Sequence, residues 1–568
     1  MRLRHPAVAL LLLLPACAGP QPSGVAAGWK FADQARVTDA ASGVVVSGSP
    51  IASEVGRDIL QAGGNAIDAA VAVGFALAVV HPEAGNIGGG GFLMYREAGG
   101  GVYALDYREE APSGASRDMY LEPDGDVSDL SITGALAAGV PGSPAGLVEM
   151  HRRFGRLPFA QVINPAITLA NEGYVVDDYR RESIGDEMSR LYLFPASRAQ
   201  FLPNNQPPVV GSVLVQRDLG RTLERIRDKG AAGFYTGPTA DLIVAEMERS
   251  GGLISHADLA AYKTYWRDPI IVPYRGDTIY SMPPASSGGT TMGMILNMME
   301  GYSPLPPFGS AELMHLEAEV MSRAFMDRNA YMGDPGFVHN PIGQMLSESY
   351  ADERRATIDP KRASKTGEVL PGLKDGPSTT HYSIVDADGN AVSITTTLNN
   401  SYGSAVTVTG AGFLLNDEMD DLASAPGKPN MYGLVQGDSN AIQPGKRPLS
   451  AMTPSLVVDQ NGQLLMVVGT PGGPRIITMV YHVISNVIDH QMSLSDAVTA
   501  PRLHHQGLPN AIRIERGGFS PEVIAQLEKM GHEVNEAGYT GDVEAIIRTP
   551  TGWQGVSDPR LGGGGAGY

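Results

Sequence analysis

Three polar side chains fall where a single turn would bring them together. Residues 379–385 (Thr-Thr-His-Tyr-Ser-Ile-Val), 386–390 (Asp-Ala-Asp-Gly-Asn) and 391–399 (Ala-Val-Ser-Ile-Thr-Thr-Thr-Leu-Asn) read as strand, turn and strand. With the turn centred on Asp388, Val385 faces Ala391 and Thr379 faces Thr397. Opposed residues project to one face with Cβ atoms about 4.5–5.5 Å apart, and alternation along the strand puts Asn399 on that face too. A hydroxyl in such a cluster becomes a nucleophile when a base takes its proton. Threonine also favours β structure without any chemistry, so the hairpin alone leaves both readings open.

A second group of residues suits the stabilisation of charge. Gly472-Gly473 follows the apolar run Leu464 to Val468 and precedes a helical pattern from Ile476 to Val487. Backbone N–H groups at such a junction can form an oxyanion hole, and a plain glycine turn would look the same. Arg108 stands at the end of a strand pattern from Val102 to Tyr107, while Glu418 and Asp421 lie far along the chain. Taken singly, these three are ordinary solvated charges or ion-pair partners.

The elements that must position these residues belong to a large globular body. Of the 568 residues, 43% are hydrophobic and 18% charged, enough to bury a core. No linker-like run divides the chain after residue 30. Residues 53–61 and 66–80 read as helices about a Gly63-Gly64 break, the second apolar nearly all round and so buried. Gly85 to Gly91 lacks the Lys-Ser/Thr of a phosphate loop, which leaves close backbone packing before a strand at Phe92 to Tyr95. Residues 145–270 look mainly helical, 310–332 form another helix, and 361–378 lack periodicity and read as an exposed loop. No His, Cys and acidic cluster with metal-ligand spacing stands out.

A formal net charge of −19 with no basic stripe argues against nucleic acid as a partner. At the N-terminus, Arg2 and Arg4 precede the apolar run Ala7 to Leu14, then Pro15, Ala16 and Cys17, which is an export-signal pattern. The run is shorter than the roughly 20 residues needed to span a bilayer. Leu14-Pro15-Ala16-Cys17 also resembles a bacterial lipobox, and Cys17 is the sole cysteine, so it is the expected lipidation site and no internal disulfide is possible. Residues 1–17 are thus read as an export signal of lipoprotein type and 18–30 as a tether, placing the protein in the periplasm on a membrane anchor.

The Thr379-Thr380-His381-Tyr382-Ser383 element resembles the start of the small subunit of γ-glutamyltransferases, which are N-terminal-nucleophile hydrolases. The similarity runs from about Val46 to Tyr568. It takes in the run from His81 to Phe92, Asp106-Tyr107-Arg108-Glu109, Met282 to Gly289, Lys446 to Ser450, Gly469 to Gly473 and Ser557 to Arg560.

This resemblance implies an α/β fold, a four-layer αββα sandwich cut into a large subunit (31–378) and a small one (379–568) that stay together as a heterodimer. It implies that the Thr379 hydroxyl attacks the Ser378 carbonyl to free its own α-amine, and that Thr379 then acts as nucleophile and base, positioned by Thr397. A free α-amine titrates near 7.7–8.0, suited to that task. Gly472 and Gly473 are then the oxyanion hole. Arg108 and Ser450 are expected to hold the substrate α-carboxylate, Asn399, Glu418 and Asp421 its α-ammonium, and Tyr432 to belong to a lid over residues 426–436. Glutathione and other γ-glutamyl compounds are the implied substrates, amino acids or dipeptides the acceptors, and no cofactor or metal is needed. One position departs from many relatives: Ser450 is followed by Ala451 where a second serine is common. A cephalosporin or glutaryl acylase on the same scaffold is the rival enzyme, and a catalytically inactive lipid-anchored binding protein the rival outside enzymes.

Overall fold

A computed structural model describes residues 24–365 and 379–568. The export signal with Cys17, the first part of the tether, Ser378 and the end of the 361–378 loop lie outside the described residues.

The centre of the fold is the hairpin Thr379–Val385 and Ala391–Thr397, whose antiparallel register pairs Val385 with Ala391 and Thr379 with Thr397, as turn arithmetic predicts. Asp386 closes the turn by accepting hydrogen bonds from the Asp388 and Asn390 N–H groups. The hairpin lies inside a seven-stranded antiparallel sheet. Its strand order is Gly564–Gly567, Val44–Ser47, Thr379–Val385, Ala391–Thr397, Gly90–Arg96, Val102–Tyr107 and Tyr265–Arg267. A second seven-stranded sheet runs Arg36–Ala40, Gly552–Ser557, Glu544–Thr549, Leu464–Gly469, Ser455–Val458, Asp277–Ser281 and Ile270–Tyr274.

Side-chain alternation assigns the two faces of the first sheet. Val45, Leu93 and Tyr95 join the core beneath helix Ala66–Val80, whereas Val44, Val46, Phe92 and Met94 join a core shared with Val467, Ile546 and Val556 of the second sheet. Helices Gly288–Glu300 and Arg475–Ile488 cover the far side of the second sheet, which completes the αββα layering. The helix Ala66–Val80 is buried almost all round, as its unbroken apolar sequence requires, and Asn65 caps it by accepting the Asp68 N–H.

The glycine run is a packing device. A Cβ on Gly89 would lie 1.9 Å from the Thr397 carbonyl oxygen, and one on Gly88 would lie 1.9 Å from that of Leu414. Two expectations need adjustment. The stretch 145–270 is mainly helical as expected, but it also holds the strand pair Tyr174–Val175 and Val213–Leu214, and its end supplies Tyr265–Arg267 to the edge of the first sheet and opens Ile270–Tyr274 in the second. The second hairpin strand stops at Thr397, and Asn399 sits in a turn with φ 75°, a conformation asparagine tolerates well. Strand alternation therefore does not set the direction of its side chain.

Candidate active site

Odd-numbered residues of the hairpin point between the two sheets. Most of that face is sealed: the His381 ring lies between Thr395 Oγ1 (2.9 Å) and Ser383 Oγ (3.1 Å), and Ser393 Oγ donates to the Val468 carbonyl. Burial lowers the His381 pKa to about 3, so the ring is neutral. At the open end of the same face stand Thr379 and Thr397, with their hydroxyl oxygens 3.3 Å apart. Thr397 Oγ1 also accepts the Asn399 N–H at 2.8 Å, which ties the turn to the strand end.

Thr379, Thr397, Asn399, Arg108, Glu418, Asp421, Tyr432, Ser450 and Gly473 line one pocket, together with Arg328 and Ala451. The sequence-expected residues are thus brought together, with Gly472 next in the chain to its wall; Cys17 and Ser378 lie outside the described residues. Arg328 is absent from the sequence-expected set. It lies in the last turn of helix Ala311–Tyr331, where an arginine has no distinguishing spacing.

Gly472 and Gly473 have φ of 141° and 56° and link strand Leu464–Gly469 to helix Arg475–Ile488. A Cβ on Gly473 would lie 3.0 Å from the Tyr432 ring. Among the described residues, neither glycine N–H donates a hydrogen bond, and Gly473 lines the pocket. Tyr432 closes over the site by donating its hydroxyl to Asn399, with Oδ1 at 2.6 Å and the carbonyl oxygen at 2.9 Å. The turn that carries it is held by Asn430, whose Oδ1 accepts the Tyr432 and Leu434 N–H groups.

Charge in the pocket is incompletely compensated. The Arg108 side chain is 1% exposed and places Nη2 2.6 Å from Asp421 and 2.7 Å from Glu418, with Nη1 3.4 Å from Glu109 and Nε donating to the Pro448 carbonyl. Burial opposes its charge, but Glu418, Glu109 and Asp421 together raise its pKa. Burial pushes the Glu418 carboxyl well above the usual range and raises Asp421, with Arg108 only partly offsetting both. Glu109 is pushed up to about 7, also by burial. Neither Glu418 carboxylate oxygen has a hydrogen-bond donor in a suitable direction among the described residues. Two buried acceptor atoms beside a cation suit an incoming ammonium group.

On the opposite wall, Ser450 Oγ accepts the Met452 N–H at 3.1 Å, which leaves its own proton to donate. No histidine lines this pocket among the described residues, so the group that activates Thr379 has to be sought elsewhere. A His315, Glu319 and His532 cluster lies away from the pocket. There the two rings bond at 2.7 Å, His315 Nε2 donates to the Asp359 carbonyl, and Glu319 is engaged by Arg323 and Ser364. These contacts already satisfy the atoms that would face an ion.

The double-sheet architecture, with a threonine at the open end of a central hairpin, is that of the N-terminal-nucleophile hydrolases. Residues 52–568 match the family model described as Gamma-glutamyltranspeptidase, and the chain belongs to that family. Over 538 residues it is 47% identical to a glutathione hydrolase proenzyme of Pseudomonas sp. (strain A14), covering 94% of this chain and 92% of that protein. A glutathione hydrolase proenzyme of Escherichia coli (strain K12) is 43% identical over 570 residues, covering 98% and 97%. Among solved structures, a cephalosporin acylase from Bacillus halodurans superposes with a TM-score of 0.82 at 28% identity, covering 94% of this chain and 97% of that one.

Proposed function

We propose that the chain is a self-processing γ-glutamyltransferase that hydrolyses glutathione and other γ-glutamyl amides, or passes the γ-glutamyl group to amino acids and dipeptides. The observation that carries this reading is the polarity of the pocket: buried, donor-poor carboxylates and a guanidinium face each other beside Thr379. That arrangement suits the α-amino-acid end of a γ-glutamyl group, and Thr379 lines the same pocket.

In the precursor, the Thr379 hydroxyl attacks the Ser378 carbonyl, the peptide becomes an ester, and water releases residues 31–378 from 379–568. The two pieces remain one folded unit, since the strand Thr379–Val385 pairs with Val44–Ser47 of the first piece. The freed α-amine is the base. With no histidine in the pocket, it is the group closest in the chain to the hydroxyl and titrates near 7.7–8.0. Thr379 Oγ1 then attacks the γ-carbonyl, its proton passing to the α-amine, and the Gly472 and Gly473 N–H groups receive the oxyanion. Collapse expels the amine, which takes that proton, and leaves a γ-glutamyl–threonine ester for water or an acceptor amine to open. Thr397 positions the nucleophile, Arg108 and Ser450 hold the α-carboxylate, and Asn399, Glu418 and Asp421 hold the α-ammonium. Tyr432 shields the ester from bulk water.

A second reading, an acylase for glutaryl side chains, is supported by the likeness to the cephalosporin acylase structure, while the buried carboxylates, which a glutaryl group would leave without an ammonium, count against it. Comparing γ-glutamyl-p-nitroanilide with glutaryl-p-nitroanilide, each with and without glycylglycine, decides between them. Preference for the glutaryl compound would establish the acylase. Thr379→Ala should remain a single inactive chain, and amino-terminal sequencing of wild type should place the small fragment's start at Thr379; a different start would refute the processing scheme.

The Leu14-Pro15-Ala16-Cys17 tetrad supports export to the periplasm with a lipid on Cys17. Cys17→Ser should release the protein from membranes or block its maturation, whereas a lipid-free mature N-terminus beyond Cys17 would leave a plain signal peptide.

A further inference from the structure

We infer that Arg328 is a substrate-binding, specificity-determining residue whose guanidinium takes one oxygen of the α-carboxylate of a γ-glutamyl compound, sharing that group with Arg108 and Ser450. The inference rests on the γ-glutamyl reading above and adds a second cation to it.

Arg108 is already engaged on every side-chain nitrogen. Its Nη2 lies on both Asp421 and Glu418, its Nη1 faces Glu109, and its Nε donates to the Pro448 carbonyl. It therefore has no free two-pronged fork to offer a carboxylate. Releasing Asp421 or Glu418 to make one would disturb the groups assigned to the ammonium.

Arg328 is hydrogen-bonded through all three nitrogens as well, and differs from Arg108 in the charge of its partners. It lines the same pocket, is 1% exposed, and has no carboxylate within ion-pair distance among the described residues. Its contacts are neutral: Nε donates to Ser287 Oγ at 3.1 Å, Nη1 to Asn329 Oδ1 at 3.0 Å and Gln436 Oε1 at 3.2 Å, and Nη2 to the Leu449 carbonyl at 3.4 Å. Burial lowers its pKa to about 10, with Asp421 alone opposing, so it remains a cation at neutral pH.

A buried guanidinium without a counter-ion is costly, and the negative end of its helix offsets only part of that cost. A substrate carboxylate supplies the missing charge. Ser287 also donates to the Ser450 carbonyl at 2.6 Å, so the residue that holds Arg328 holds the carboxylate wall as well. Ala451 lines the same pocket beside Ser450 and offers no side-chain donor.

The test compares γ-glutamyl-p-nitroanilide with the 4-aminobutyryl analogue, which lacks only the α-carboxylate, using wild type, Arg328→Gln and Arg328→Lys. The expected result is a kcat/KM loss of about ten- to a hundredfold for Arg328→Gln on the γ-glutamyl compound, partial recovery in Arg328→Lys, and little change on the analogue. Equal losses on both substrates would make Arg328 a mere support for Ser287 and Gln436, overturning the inference. If wild type itself prefers the analogue or the glutaryl compound, the γ-glutamyl reading fails first, and separately. Should the variants not mature, a crystal structure of wild type with glutamate decides. An Arg328 nitrogen within hydrogen-bond distance of the carboxylate upholds the inference, and a carboxylate held by Arg108 and Ser450 alone overturns it.

Discussion

Two buried clusters of arginine and carboxylate begin two residues apart in the chain, and they behave in opposite ways. Asp106 receives the Arg447 and Arg267 guanidinium groups and the Arg108 N–H, so both its oxygens are engaged. Although burial alone would raise its pKa, the two arginines hold it below the usual carboxylate range. Around Arg108 the balance is reversed. Glu418 and Asp421 are raised and share the Arg108 guanidinium with Glu109, and Arg328 has no carboxylate within ion-pair distance among the described residues. The first cluster is complete and fastens strand Val102–Tyr107 to the loop before Ser450, whereas the second leaves its charges mismatched, which under the proposed function a zwitterionic substrate would complete. Buried charge by itself does not mark a site; mismatch among buried charges does.

The comparison breaks most severely if the complete cluster is cut. Asp106→Ala leaves Arg267 without a carboxylate partner among the described residues and the fully buried Arg447 with Glu110 alone, and should destabilise the fold by about 3 kcal/mol, measured by denaturant unfolding. Glu418→Gln should leave stability within about 1 kcal/mol of wild type, because three buried carboxylates share Arg108 and the guanidinium keeps Asp421 and Glu109. Its effect should appear instead as a loss of about ten- to a hundredfold in kcat/KM on γ-glutamyl-p-nitroanilide, with the glutaryl compound spared. Similar unfolding profiles for the two variants would show that the clusters do not differ as described.

A smaller effect sharpens the comparison through pH. Glu418 and Asp421 bind an ammonium only when ionised, and burial raises both above the ordinary carboxylate value of about 4. As pH falls through their raised range they take up protons, while the substrate amine remains charged. The ratio of kcat/KM for the γ-glutamyl compound over the glutaryl one should therefore fall as pH is lowered, beginning above the ordinary carboxylate range. Titration of the Thr379 α-amine affects both substrates and cancels in the ratio. A flat ratio would remove Glu418 and Asp421 from ammonium recognition.

Much of the site was legible because its parts are local. Thr379 and Thr397 are related by one tight turn, so alternation and turn chemistry place them together, and Arg108 follows a strand whose period is plain. Asn399 reaches the site by a positive-φ turn that strand alternation does not foresee. The convergence of Glu418 and Asp421 on Arg108 spans more than 300 residues, and only the family resemblance suggested it. Arg328 carries no local sign at all: an arginine in the last turn of a helix is common, and its significance depends on a missing partner, which only the packed structure reveals.

The smallest expected effect concerns Ala451, on the carboxylate wall of the incomplete cluster. Ser450 spends its acceptor capacity on the Met452 N–H, so the wall presents one hydroxyl proton beside the two guanidinium groups. Ala451→Ser would add a second neutral donor, and a well-aligned neutral hydrogen bond contributes about 0.5–1.5 kcal/mol. Binding of γ-glutamyl-p-nitroanilide should tighten by about two- to tenfold, while the 4-aminobutyryl analogue should show no gain. In an Arg328→Lys background, the added hydroxyl should recover a larger share of the lost kcat/KM, because the two groups then serve the same oxygen. Equal gains on both substrates would mean that the serine acts by repacking the wall, and strict additivity with Arg328→Lys would mean that position 451 and Arg328 address different parts of the substrate.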